Sequence, residues 1–435
     1  GDVGDDIVVG DAPFYISPDG NEFASGSADD PFGSLTAAFV HTEPGDIIYV
    51  MPGTYTGEFN QEISLPEYHD ISIIGTGDVD ETVFQCTGSQ ILSVSPKTSA
   101  TIQNITFTGN LNQYAIYANN LSGYTETLTL DNCKFVDLQQ GRAIYVNAYM
   151  TLNISDCVFS GIIPGQNYES GSAIYLASES NEVNLSGCLF YDNQAITSSE
   201  EHRGVIYASV NDYTMNIDHC TFYDNGGEGS LAIYDDNGYS NKPITITNSI
   251  FYSDIIYAPA ATVNATYSLI YDTEGEGNFY NDPLFCDVDS SDFTLYNNSP
   301  CAGTGEDGAH IGALGVGCGA YSGDVGDDIV VGDAPFYISP NGNEFASGSV
   351  DDPFGSLTAA FINTDPGDII YVLPGTYTGE YNQEISISDG HDLSIIGTGD
   401  VDETVFECNS STFLNISTNT SATIQNITFT GSLSN

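Results

Sequence analysis

The chain has 435 residues, with 60 Asp plus Glu against 5 Lys plus Arg, a formal net charge of −55 and a pI near 4.1. That balance excludes a nucleic-acid partner, because holding phosphates takes clustered cations, and it opposes docking on anionic lipid. No run of about eighteen apolar residues is present to span a bilayer. Hydrophobic residues make up 40%, with 28 Tyr, 22 Phe and no Trp, so material for a packed core is ample. Charges of one sign cannot pair, so compactness rests on burial and backbone hydrogen bonds. Self-repulsion favours an elongated shape, a high-salt setting or bound cations.

The opening Gly1-Asp2-Val3-Gly4-Asp5-Asp6 has no basic region followed by an apolar one, so Gly1 is expected to be an internal or processed start. The motif returns as Gly323-Asp324-Val325-Gly326-Asp327-Asp328. Asp2, Asp5 and Asp6, and their copies Asp324, Asp327 and Asp328, can offer several oxygen ligands to calcium. The spacing matches neither the EF-hand loop nor the Gly-Gly-x-Gly-x-Asp nonapeptide, and a solvated acidic linker is the competing reading. Next comes a helix predicted within Pro31 to Val40, with Leu35, Ala38 and Phe39 on one face.

From Ile105 onward two motifs alternate. Ala-Ile-Tyr or a variant recurs at Ala115-Ile116-Tyr117, Ala143-Ile144-Tyr145, Ala173-Ile174-Tyr175, Val205-Ile206-Tyr207, Ala232-Ile233-Tyr234 and Ile255-Ile256-Tyr257, spaced 23 to 32 residues apart. Between them run Ile105-Thr106-Phe107, Cys133-Lys134-Phe135, Cys157-Val158-Phe159, Cys188-Leu189-Phe190, Cys220-Thr221-Phe222 and Ser249-Ile250-Phe251. Alternation with β-branched and aromatic residues reads as strand, and Gly, Asn, Asp and Ser punctuate the gaps. Several strands per repeat with the same motif returning predict a parallel β-solenoid, whose coils stack at about 4.8 Å. An antiparallel sandwich has no reason to repeat a tripeptide at coil length. Ile116, Ile144, Ile174, Ile206 and Ile233 are expected to stack inward, and roughly ten coils give a unit near 50 Å long. Cys133, Cys157, Cys188 and Cys220 hold one place in successive coils and are expected to form an inward ladder, either as unbonded apolar filler or as disulfides between coils. Cys286, Cys301 and Cys318 fall in an irregular closing stretch and are the better disulfide candidates; no C-x-x-C pair suggests zinc.

Residues 1 to 113 recur from 323 to 435 at a constant offset of 322, with about four fifths of positions identical. The reading is a complete unit, 1–322, followed by the first third of a second, 323–435, within a longer tandem array. The unit resembles the right-handed parallel β-helix repeat proteins of the pectate-lyase-like superfamily. Phe14-Tyr15-Ile16-Ser17-Pro18-Asp19-Gly20-Asn21, Asp30-Pro31-Phe32-Gly33-Ser34-Leu35 and Pro44-Gly45-Asp46-Ile47-Ile48-Tyr49-Val50-Met51-Pro52-Gly53-Thr54-Tyr55 look like their amino-terminal opening. Asn281-Asp282-Pro283-Leu284-Phe285, Ser299-Pro300-Cys301 and Ile311-Gly312-Ala313-Leu314 look like their closing segment. The coils are similar to those of polymorphic outer-membrane and archaeal adhesin-like surface proteins. The resemblance implies an all-β fold with a short amino-terminal helix capping each unit. It is specific for fold and weak for function, since enzymes, adhesins and structural proteins share this solenoid.

Ten Asn-x-Ser/Thr sequons, at Asn104, Asn120, Asn153, Asn184, Asn264, Asn297, Asn409, Asn415, Asn419 and Asn426, suggest a secreted, glycosylated chain, although one rich in Asn, Ser and Thr makes sequons by chance. Lyases on this fold abstract a proton with Arg or Lys beside calcium; the cations here are Lys97, Lys134, Arg142, Arg203 and Lys242, and only Arg142 and Arg203 start comparable strands. Hydrolases on it carry clustered Asp with Gly-His-Gly, and that signature is absent. The pairs Asp5-Asp6, Asp29-Asp30 and Asp235-Asp236 arise readily in so acidic a chain. The expectation is therefore a non-enzyme: an extracellular, cell-surface structural protein whose units join end to end into a filament, sheath or stalk, with adhesion to surface glycans as an added role. The junction is expected around Gly312 to Ala334, and the alternative is a polysaccharide lyase or glycoside hydrolase.

Overall fold

The computed structural model describes residues 13–119, 126–147, 149–165, 171–177, 181–194, 204–209, 213–225, 230–235, 243–252, 254–258, 261–270, 275–320, 336–343, 346, 348–350, 352–364, 369–383, 385–387, 393–399, 401–408, 412–416 and 422–431. Two compact units make up the chain. The first holds residues up to Phe279 and again Pro283–Gly319; the second holds Tyr280–Asp282 and residues from Ala320 on. The boundary expected at residue 322 lies outside the described residues.

In the first unit each full coil gives one strand to each of three sheets in fixed order. The first sheet stacks ten strands, from Phe14–Ile16 to Thr262–Thr266. The second runs from Gly53–Tyr55 to Ile250–Tyr252, and the third from Ile63–Ser64 to Asp254–Tyr257. Every strand pair in these sheets is parallel, and the register matches each motif to its copy. Ile116 pairs with Ile144, Ile144 with Ile174, Ile174 with Ile206 and Ile206 with Ile233. All five side chains are fully buried, as strand alternation requires. On the second sheet Phe84, Phe107, Phe135, Phe159, Phe190, Phe222 and Phe251 stack inside with ring centroids 4.5 to 6.1 Å apart.

The corner between the first and second sheets explains the Cys-x-Phe motif. A residue with positive φ (Asn104, Asn132, Asp156, Gly187, His219, Asn248, Tyr267) turns the chain, and the next side chain points inward. Ser249 and Ser268 hydroxyls donate to the carbonyl two residues back and accept an amide N–H from the preceding coil, Cys220 N at 3.1 Å and Ser249 N at 3.1 Å. Cysteine does the same with sulfur: Cys133 donates to Asp131 O, and Cys157 Sγ accepts from Cys133 N at 3.3 Å. Cys133, Cys157, Cys188 and Cys220 are fully buried and unbonded. The position wants a small side chain with an acceptor, which both residue types supply.

The helix is Leu35–Phe39, shorter than the expected span. Ser34 caps it, accepting from Ala37 N, and donates to Glu22 at 2.6 Å. Leu35, Ala37 and Ala38 turn into the core. Tyr55 fastens this opening from within, its hydroxyl donating to Met51 O and close to Ile16 O. The second unit repeats the design: helix Leu357–Ile362, Ser356 accepting from Ala359 N, and Tyr377 against Leu373 O and Ile338 O.

The closing segment does not simply run on from the last coil. Phe285–Asp287, Asp292–Tyr296 and Val316–Cys318 form a small sheet that returns along the outer face of the second sheet. There Phe293 packs on Tyr191 at 4.7 Å and Tyr223 at 5.3 Å, and Ala313 N donates to Thr221 Oγ1. The outward tyrosines supply the apolar surface that draws it there.

Candidate functional site

The Ala-Ile-Tyr strands place isoleucine inside and tyrosine outside, so exact register builds an outer column of rings on the third sheet. Tyr117, Tyr145, Tyr175, Tyr207, Tyr234 and Tyr257 stand 4.9 to 5.7 Å apart, centroid to centroid. Tyr114 adds a ring 4.5 Å from Tyr145. Tyr207 and Tyr234 are buried, Tyr117, Tyr145 and Tyr175 half-buried, and Tyr257 exposed. Arg142 lies in the same sheet, nearly buried, with its guanidinium 4.3 Å from the Tyr175 ring centre. Burial, with Tyr175 and Tyr117 alongside, raises the Tyr145 hydroxyl above its ordinary value, and Arg142 pulls the other way. The rings largely cover one another's faces, so the column turns outward mainly the edges and hydroxyls of its half-buried members and the exposed ring of Tyr257. The tripeptide motif was legible in sequence; its ring column and the place of Arg142 in it follow only from the register.

Two polar columns flank it. On the first sheet Asn153, Asn184 and Asn216 pass amide hydrogen bonds outward along the stack, at 3.0 and 2.8 Å. At the corner between the second and third sheets, exposed Asp137, Asp192 and Asp224 all have positive φ. Burial, then Asp224 and Asp137, raise the Asp192 carboxyl above its ordinary range. Just inside that corner is a column that sequence reading missed. Asn193 Nδ2 donates to Asn225 Oδ1 at 2.8 Å, and Asn225 Nδ2 to Asp254 Oδ2 at 2.6 Å, all three side chains buried. Each stands at the same place after a Phe-Tyr pair, at Phe190-Tyr191, Phe222-Tyr223 and Phe251-Tyr252, a recurrence that sequence reading passed over because Asn and Asp read as loop.

The sequons scatter over these features. Asn153 and Asn184 sit in the amide stack, and Asn264 on the last strand of the first sheet. Asn104 occupies a corner, accepting from Asn132 and donating to Gly75 O; Asn426 does likewise with Gly397 O. Asn297 lies in an exposed turn, and Asn415 is exposed on a strand. Asn120, Asn409 and Asn419 lie outside the described residues, as do Asp2, Asp5, Asp6, Asp324, Asp327 and Asp328, so the calcium motif has no geometry here. Among the described residues no group of three or more His, Cys, Asp or Glu side chains could hold a metal.

Lys134 meets Asp80 at 2.6 Å, and Lys97 donates to the Tyr68 hydroxyl; Arg203 and Lys242 lie outside the described residues. Of the three disulfide candidates, Cys286 and Cys318 are joined, Cα to Cα 6.1 Å, bracing the closing sheet. Cys301 is buried outside that bond. No helix among the described residues is long and apolar enough to cross a membrane.

Residues 90–268 match the family model for the right handed beta helix region. The solenoid is a right-handed parallel β-helix. No curated protein matches the chain in sequence. Solved structures similar to it include the pectate lyase Pel9A, 14% identical with a TM-score of 0.35 over 71% of this chain and 98% of that one. A rhamnogalacturonan lyase is 12% identical, TM-score 0.26, over 64% and 92%. The PL6 family alginate lyase AlyGC is 12% identical, TM-score 0.17, over 90% and 70%.

Proposed function

We propose that this chain is an extracellular structural protein whose tandem β-helix units build a filament, sheath or stalk at a cell surface. The observation that supports this best is the repetition of the unit in structure as well as sequence. Ser34, Tyr55 and Asn60 of the first unit have counterparts in Ser356, Tyr377 and Asn382 that make the same bonds, down to Asn60 and Asn382 accepting from Leu35 N and Leu357 N. A unit built by stacking coil on coil and repeated in tandem is what a length-defining element needs. Glycosylation, best supported at exposed Asn297 and Asn415, fits the same setting. Electron microscopy of the native material tests the proposal: filaments or a layered sheath support it, and separate particles oppose it.

A second reading rests on the outward edges and hydroxyls of the tyrosine column and the exposed Tyr257 ring, which suit a saccharide and so an adhesin or a carbohydrate-active enzyme. A glycan array, together with incubation of the protein with polygalacturonate and alginate, separates these. Binding without chain cleavage supports adhesion, and cleavage supports the enzyme.

A further inference from the structure

The third sheet carries no carboxylate in its first six strands, in a molecule that holds 60 Asp plus Glu. Ile63–Ser64, Gln90–Val94, Tyr114–Asn119, Arg142–Asn147, Ile174–Leu176 and Ile206–Ala208 contain neither residue type. The strands of the first sheet, by contrast, include Glu126, Asp131, Glu182 and Asp218. Register sets Ser93 beside Tyr117, Tyr117 beside Tyr145, Tyr145 beside Tyr175 and Asn119 beside Asn147. All six of these side chains are half-buried. Asn147 Nδ2 donates to the Tyr117 hydroxyl at 3.3 Å, so amides and ring edges form one polar strip.

The strip offers hydroxyls and carboxamides, groups that both donate and accept. Arg142, the one cation in these strands, does not reach outward: it is 5% exposed, with its guanidinium 4.3 Å from the Tyr175 ring centre. An acidic sugar would find no accessible positive charge in these strands, and it would meet the repulsion of a chain of net charge −55. An uncharged sugar presents what the strip can satisfy. Its hydroxyls suit the amides and phenols, and its C–H edges suit the rims of the rings. Tyr117 to Tyr145 is 5.7 Å and Tyr145 to Tyr175 is 5.0 Å, centroid to centroid. An extended chain lying along the stack therefore meets the same groups again at each coil, and weak contacts reinforce one another.

We propose that the strip of Ser93, Tyr117, Asn119, Tyr145, Asn147 and Tyr175 binds an uncharged, extended glycan running along the stack of coils. This rests on the adhesive reading of the tyrosine column and assigns its class of ligand.

The test is calorimetric titration of the full chain with cellohexaose, mannohexaose and chitohexaose as uncharged probes, and with hexagalacturonate and hexaguluronate as charged ones. Low and high salt separate screening from chemistry. At least one uncharged hexamer is expected to bind, more tightly than its own disaccharide, and the uronates are expected to bind at neither salt concentration. Tyr117→Ala with Asn147→Ala should weaken binding roughly tenfold or more while circular dichroism is unchanged. Tyr145→Phe keeps the ring and takes only the hydroxyl, and should weaken binding about two- to tenfold. Thr151→Ala, on the first sheet, should bind as the wild type does. If neither third-sheet variant weakens binding, if a hexamer binds no tighter than its disaccharide, or if the uronates bind as well as the uncharged probes, the inference is wrong while the adhesive reading stands. If no probe binds, both fall.

Discussion

At the scale of single residues the fold asks for unusual backbone at its corners. The positions with positive φ hold Asn or Asp where the sequence can supply them, but also His219 and Tyr267, so residue type alone does not mark the corner. This is why the strands were legible in sequence and the corners were not. Asp192 shows what such a position costs in this chain, with Asp224 and Asp137 along the same edge. Its folded carboxyl titrates above the unfolded one, so its unfavourable contribution is present above the folded value and disappears as pH falls through the unfolded value. Asp192→Asn should therefore raise the melting temperature modestly at pH 7, and the gain should vanish below pH 3.8, the ordinary carboxyl value. Thermal melts across that range check it. Asp218 has the opposite sign. Burial raises it, but hydrogen bonds from Thr247, His219 and Asn248 hold it below its ordinary value, so its contribution is lost as pH falls through the folded value.

At the scale of elements, columns rather than individual contacts hold the coils. The isoleucine and cysteine columns were readable from motif spacing, because a parallel register stacks like on like. The Asn193–Asn225–Asp254 column was missed although its members stand at one place after Phe190-Tyr191, Phe222-Tyr223 and Phe251-Tyr252, because Asn and Asp after a strand read as turn residues. Asn225→Ala would leave Phe190 O and the buried Asp254 carboxylate without this partner's N–H donor, and should cost about 3 kcal/mol in denaturant unfolding. Asp254→Asn should be tolerated, since an amide oxygen already accepts both Asn193 N and Nδ2 one step earlier in the column. The thiols make a second prediction. Burial raises Cys86 to about 12 and lifts Cys157 and Cys220 well above the ordinary thiol value. Maleimide at pH 8 should leave Cys86, Cys133, Cys157, Cys188 and Cys220 unlabelled in the native protein and label all five after denaturation. Labelling of the native ladder, read by mass spectrometry, would contradict its sealed position.

At the scale of the whole molecule a tandem sequence repeat carries a repeated structure. The offset of 322 residues was plain in the sequence, and so was the helix at the start of each unit, because both are carried by contiguous residues. The path of the closing segment back along the second sheet was not, because it depends on which outward tyrosines are left uncovered. With −55 charges to accommodate, the folded chain should gain thermal stability as salt rises, and a flat response in calorimetry would show the repulsion to be already neutralised. The claim that these units serve as a structural rod is tested most directly by electron microscopy of the native material. Filaments with an axial repeat of at least roughly 50 Å are expected; isolated, unassembled particles that cleave a polysaccharide would contradict the structural role.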